Sequence, residues 1–411
     1  MAYVAGAGEA RGSRALMALA LCFAINMVGR GISDSFAVFL VPLGDEFAWS
    51  RASLTGAYAI SLLVFGFAAP FAGALLDRYG HRTLYLVGLS CLSAALLLCS
   101  ALTHLWQAYV FIGGFGGVAL ASLGMIPAAN LLRRWFERRL STAVGIAYTG
   151  MGVGTLVIMP VAQFLVDTGG WRFAYRTLGI LVALTTLVVF VLPWRRIAAG
   201  PHATPSAVPA APGAFRASLM QALRQPLFWG LAMVFLFTSI AMYMMMIQIV
   251  AYLISIGLAP IEAASASGVI GALSVCGMIG AGWLAGRVGF RVTGLTSFAI
   301  TLTSIGLLEA LAASPRSAAL TVFIALFGIS QGTRGPLVAT LTTRHFGGRS
   351  GATTFGMITA FGGFGGALGA WLAGFLYDIS GGRYDLSFAF ACVSLVLAAL
   401  PFLVLPQFRQ R

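Results

Sequence analysis

Three ionised side chains interrupt stretches that are otherwise apolar, and they are the residues best placed to do chemistry. Arg30 and Asp34 fall in the run from 15 to 41, and Arg334 in the run from 318 to 342. A charge at mid-bilayer depth costs at least about 2.5 kcal/mol even on the mildest scale, so each must face protein or water rather than lipid. Arg30 and Asp34 stand four residues apart, on one helical face where they can pair. Arg334 has no acid near it in sequence, and Gly332, Gly335 and Pro336 around it permit an irregular helix that offers backbone groups. A guanidinium presents a planar fork that matches a carboxylate with two parallel hydrogen bonds. The pattern predicts capture of a small organic anion, with Arg334 as principal anchor and Arg30 as the second grip. Asp34 would hold Arg30 when cargo is absent, or carry a proton. A purely structural Arg30–Asp34 pair is the other reading. Asn26, Tyr148, Tyr243, Gln248 and Gln331 lie at similar depth and are expected to complete the pocket, although each could equally tie one helix to another.

The elements that must position these residues follow from composition. Of 411 residues, 59% are apolar and 9% charged, against roughly 25% charged in soluble domains, so the surface cannot face water. Twelve apolar stretches are long enough to cross a hydrocarbon core of roughly 30 Å. They run near 15–41, 52–75, 82–102, 106–132, 140–166, 173–193, 227–257, 263–285, 292–311, 318–342, 351–377 and 386–406, and are called spans one to twelve. An open chain in lipid must satisfy its backbone within each segment, so the spans are helices and the fold is all-α. Strands of a barrel would be half as long and would alternate in polarity.

The net charge of +14 concerns topology rather than a nucleic acid, because the apolar runs separate the charges. All 25 basic residues are arginine. With both termini in the cytoplasm, eighteen arginines fall on the cytoplasmic side and five outside, while three acids lie inside and seven outside. That asymmetry follows the positive-inside rule and predicts a multi-pass protein of the inner or plasma membrane. Arg11 and Arg14 precede an apolar run that continues to Val41 with no small-residue cleavage site, so a retained first helix is expected. Cys22, Cys91, Cys99, Cys276 and Cys392 all fall within spans and the four histidines are dispersed. No metal, cofactor or enzyme chemistry is expected from them.

Residues 196–225, rich in Pro, Ala and Gly, form an expected cytoplasmic linker between a half at 1–195 and a half at 226–411. The halves repeat at an offset of about 210. GALLDRYGHR, with Gly73, Asp77, Arg78, Gly80 and Arg82, is echoed by GWLAGRVGFR, with Arg287 and Arg291; FLVDTGGWR is echoed by FLYDISGGR. Repeated six-helix halves are the sequence form of a transporter with its site between them.

GALLDRYGHR resembles the loop signature of the major facilitator superfamily, G-x-x-x-D-R-x-G-x-R, between spans two and three. The resemblance implies that Asp77 caps or pairs across the interface of the halves and that the motif's arginines lock one conformational state. FAVFLVPLGDEFAWSRA, RRWFERRLSTAVGIAYTGMGVG and GGWRFAYRTLG are similar to the monocarboxylate transporter and oxalate/formate antiporter branch, which implies an organic-anion cargo. The animal monocarboxylate transporters of that branch carry a lysine on the first span about where Asp34 falls, and an aspartate and arginine on the eighth, where this chain has Ser274 and Met278. The expected function is secondary active transport of a small organic anion, a monocarboxylate first, by alternating access. Protons or a counter-anion would drive it, and the chain is expected to act as a monomer in the lipid bilayer. The alternative is an exporter of drugs or other amphiphilic metabolites, for which two midplane arginines would repel cationic cargo.

Overall fold

A computed structural model describes residues 2–136, 140–198, 200, 223–313, 318–345 and 351–409. Almost all of it is helix, with no strand among the described residues. Eleven helices there are long and apolar enough to cross a membrane, and one of them, Ala143–Val191, has 49 residues. At 1.5 Å per residue it would reach about twice the thickness of a bilayer core. The chain instead turns back at Gly170, whose φ of 78° and ψ of 170° break the helix into spans five and six. The twelve spans are thereby accounted for.

The reversals repeat between the halves. Gly80, between spans two and three, has φ 80°, and Gly289, between spans eight and nine, has φ 87°. Gly170 likewise matches Gly381, with φ 68°. Side chains with a Cβ rarely adopt such backbone angles, which explains why these glycines recur at the repeat offset.

Two spans are irregular where the sequence requires it. Span one consists of Ala2–Asp34 and Phe36–Phe47, separated by a turn at Ser35. The break therefore follows directly on Asp34. Span four passes through a π-helical segment, Tyr109–Phe115, and breaks at Gly124 before Met125–Arg133. Pro127 lacks the N–H that a continuous helix would donate to Leu123, which accounts for that break.

Within each half, small residues let backbones touch. A Cβ on Gly154 of span five would collide with the carbonyl of Met27 on span one, and a Cβ on Gly365 of span eleven would collide with that of Leu236 on span seven. These two contacts are related by the repeat.

Between the halves, packing differs along the seam. Near Arg51 and Asp378, a Cβ on Gly374 would collide with the Arg51 carbonyl, so spans two and eleven touch. Further along the same face of span two, Leu62 still meets Gly366, but Gly66 and Gly73 have no described atom within 4 Å of a Cβ position. Phe67 and Phe71 there are each 76% exposed. Spans five and eight behave alike: a Cβ on Gly152 would lie 2.6 Å from the Gly271 carbonyl, whereas Gly145, two turns away on that face, has no described atom within 4 Å of its Cβ position. The seam is closed at the end bearing Arg51 and Asp378 and parted at the end bearing Arg78 and Arg82.

Candidate functional site

Arg30 and Asp34 form the ion pair that their spacing predicts, with Nε 2.9 Å from Oδ1 and 3.1 Å from Oδ2. The two side chains differ in access: Arg30 is 30% exposed and Asp34 2%. Asp34 also accepts a hydrogen bond from Thr155 Oγ1 of span five at 2.7 Å. Thr155 in turn packs on Gly271 of span eight, where a Cβ would lie 2.7 Å from the threonine Cβ. The carboxylate is thus held from two sides within the first half, directly against the second.

The guanidinium reaches across the seam. Nη1 lies 3.5 Å from the Tyr243 hydroxyl and Nη2 lies 3.6 Å from Met246 Sδ, both on span seven. These are long, weak contacts. Nε is committed to Asp34, while the edge of the fork formed by Nη1 and Nη2 can take a stronger acceptor. The guanidinium also stands 5.9 Å from the Tyr243 ring centroid, a cation–π distance. Tyr58 of span two, stacked on Phe36 at 5.2 Å, stands 6.4 Å from the Tyr243 ring and extends this aromatic wall. Aromatic and thioether groups beside a half-open guanidinium suit an anion with a small apolar body.

Arg334 is buried, but its partners lie elsewhere. Nη2 donates to the Ser297 carbonyl at 3.3 Å and to the Thr301 hydroxyl, both on span nine, and the guanidinium lies 4.7 Å from the Phe298 ring centroid. Nε and Nη1 have no hydrogen-bond partner among the described residues. The contacts of Arg30 are with spans one and seven and those of Arg334 with span nine, so the two arginines share no hydrogen-bond partner among the described residues.

The remaining polar candidates divide. Tyr243 belongs to the Arg30 cluster. Asn26 is buried and donates to the carbonyls of Cys22 and, at 3.3 Å, Ala147, tying span one to span five. Gln248 is buried and donates to the Ala373 carbonyl and, at 3.3 Å, to Ser387, tying span seven to spans eleven and twelve. Tyr148 is half-buried on span five, and Gln331 is half-buried on span ten.

The loop motif makes its described contacts within its own half. Arg78 lies over Tyr79 at 5.2 Å, Arg82 donates to the Phe190 carbonyl at 3.2 Å, and Arg287 lies over Trp283 at 3.9 Å. Arg291 is half-buried, and the side chain of Asp77 lies outside the described residues. Motif arginines turned into their own halves agree with a seam parted at this end.

Thr155 and Tyr58 were not among the residues expected from sequence. A hydroxyl directly after the glycines of GMGVG was the available signal for Thr155, whereas Tyr58 carried none.

A sequence profile described as Major Facilitator Superfamily matches residues 19–353. Among curated proteins, the chain is 35% identical over 173 residues to monocarboxylate transporter 11 of Mus musculus, covering 42% of this chain and 38% of that protein. It is 34% identical over 191 residues to monocarboxylate transporter 11 of Homo sapiens, covering 46% and 40%. The matches thus span well under half the length of those relatives. Among solved structures, a bacterial homologue of the human lysosomal transporter Spinster, inward-facing and unoccupied, superimposes with a TM-score of 0.70 at 17% identity over 97% of this chain and 98% of that one. The nucleoside transporter NupG, solved as a point mutant, gives a TM-score of 0.74 at 14% identity over 94% and 99%. With a profile match over most of its length, this fold and the repeated loop motif, the chain belongs to the Major Facilitator Superfamily.

Proposed function

We propose that this protein is a secondary transporter that moves a small organic anion, monocarboxylates first, across the cytoplasmic membrane by alternating access. The observation that carries the reading is Arg30, a guanidinium at the seam of the halves whose Nη edge makes only long contacts. A carboxylate on that edge gains two charge-assisted hydrogen bonds. Tyr243 and Met246 come from the other half, so an anion held between them and Arg30 favours drawing the halves together. Asp34 is the proton-coupling candidate, and Arg334 joins the site by turning from span nine in another state of the cycle. The arginine-rich end is cytoplasmic, so the parted seam opens inward. The named relatives support the choice of monocarboxylates as the first class.

Thermal stability in detergent tests this reading at two pH values. Short aliphatic monocarboxylates, aromatic monocarboxylates and a dicarboxylate are compared with amphiphilic cations, on the native chain and on Arg30→Gln. Ligand at 100 times Kd stabilises by about 2.7 kcal/mol. Stabilisation of the native chain by a monocarboxylate, absent in Arg30→Gln, is expected. Stabilisation by the cations alone would favour a drug exporter instead.

A further inference from the structure

A groove of about 540 Å³ lies on the outer side of the first half, between spans three and six, away from the Arg30 cluster. Its floor is one helical face of span three. Arg82, Leu86 and Ser90 recur every four residues, and Thr83, Val87 and Cys91 form the adjoining row. Most of these side chains are short, which leaves a trough, and Phe190 of span six, 54% exposed, forms the other wall. From Arg82 to Cys91 the helix rises about 14 Å, close to the depth of one leaflet of a hydrocarbon core roughly 30 Å thick.

One end of the trough is charged. Arg82 is exposed, lies 4.8 Å from the Phe190 ring centroid and donates one Nη2 bond to the Phe190 carbonyl. That contact fixes the guanidinium at the groove's end while most of its five N–H donors stay available. Arg82 follows the Gly80 reversal by two residues, which places it at the level where span three enters the membrane. Exposed Arg78, Arg195 and Arg196 lie near it in sequence or just beyond Phe190, and none of the described residues lining the groove is acidic. A lipid-facing trough one leaflet deep, apolar along its length and cationic at its mouth, complements a single molecule with an anionic head and an acyl chain.

We propose that this groove is a binding site for an anionic phospholipid. Its phosphate sits on Arg82 with the Thr83 hydroxyl beside it, and one acyl chain runs along Leu86, Val87 and Cys91 against Phe190. The second arginine of the loop motif is then engaged by lipid while the seam is parted at its end.

Native mass spectrometry of the full chain in detergent, with phosphatidylglycerol or phosphatidylcholine of the same acyl chains, tests the site. The native chain is expected to retain phosphatidylglycerol at least ten-fold more than phosphatidylcholine. Arg82→Gln removes the head contact, and Ser90→Trp keeps the arginine but fills the trough, so both should lose that preference. Equal retention of the two lipids by the native chain, or undiminished phosphatidylglycerol on either folded variant, overturns the proposal. If Arg82→Gln does not fold, Ser90→Trp decides alone. Inorganic phosphate in place of lipid should not raise the melting temperature of the native chain; a rise lost in Arg82→Gln would make this an ion site and overturn the lipid assignment.

Discussion

Asp378, near the end of the helix Gly351–Ile379 that forms span eleven, caps span two across the seam. Its carboxylate accepts the backbone N–H of Arg51 at 3.1 Å and of Ala52 at 2.8 Å. The first N–H groups of a helix lack partners within it, and a negative charge there is also favoured by the helix dipole. The repeat-related pair is built differently: Asp167 accepts from Gln163 at 2.7 Å, and span eight is capped by its own Glu262, which accepts the Ala259 N–H at 3.2 Å. The Asp378 carboxylate therefore latches one half to the other, and parting the seam at this end must break that cap.

Asp378→Ala is therefore expected to favour the state open at the Arg51 end. Loss of a cap is worth about 0.5–2 kcal/mol, and one or two kcal/mol shifts an equilibrium roughly 5- to 30-fold. Distances between spin labels at Asp45 and Ile379, in a cysteine-depleted background, should lengthen in the variant. An unchanged distribution would show that Asp378 does not hold the seam.

Close packing of spans one and five gives a stability test with an internal control. Gly154→Ala forces a methyl onto the Met27 carbonyl, while Gly145→Ala enters open space on the same span. Overpacking costs on the order of 1–3 kcal/mol, whereas Ala gains up to about 1 kcal/mol over Gly in a helix. Melting in detergent should fall clearly for the first variant and hold or rise for the second.

Gln248 should behave as a tie between helices. Gln248→Leu removes its bonds to Ala373 and Ser387, and a net loss of about 1 kcal/mol per bond is expected. Stability should fall while the KM for a transported monocarboxylate stays within two-fold. A KM increase at unchanged stability would return Gln248 to the binding site.

Asp34 is tested by separating exchange from accumulation. If it carries the proton, Asp34→Asn still exchanges substrate between equal pools but no longer concentrates it against a gradient when a pH difference is imposed. Accumulation at the native level would remove Asp34 from coupling.

The helical spans, the reversals at Gly80 and Gly289 and the Arg30–Asp34 pair were legible in the sequence because each is local, set by hydropathy, backbone angle or i,i+4 spacing. Tyr243 was expected in the pocket from its depth, but its pairing with Arg30, 213 residues away, and that of Thr155 with Asp34, 121 residues away, were not, because no periodicity joins them. The direction of Arg334 was also hidden, since hydropathy does not fix how a span is rotated about its axis. A signal existed in span nine, where Ser297, Thr301 and Ser304 recur on one face as hydroxyls able to meet a buried cation. The seam's asymmetry arises from contacts between halves, which neither half's sequence contains.

Uptake of a radiolabelled monocarboxylate into proteoliposomes, with the native chain, Arg30→Lys and Arg30→Gln, tests the central claim most directly. A charge-assisted hydrogen bond contributes about 1.5–3 kcal/mol, and Lys cannot reproduce the two-pronged contact. Arg30→Gln should lose roughly ten- to hundred-fold in kcat/KM, with Arg30→Lys between it and the native chain and all three equally folded. Saturable uptake by Arg30→Gln at the native rate and KM would contradict the assignment of Arg30 as the anion's anchor.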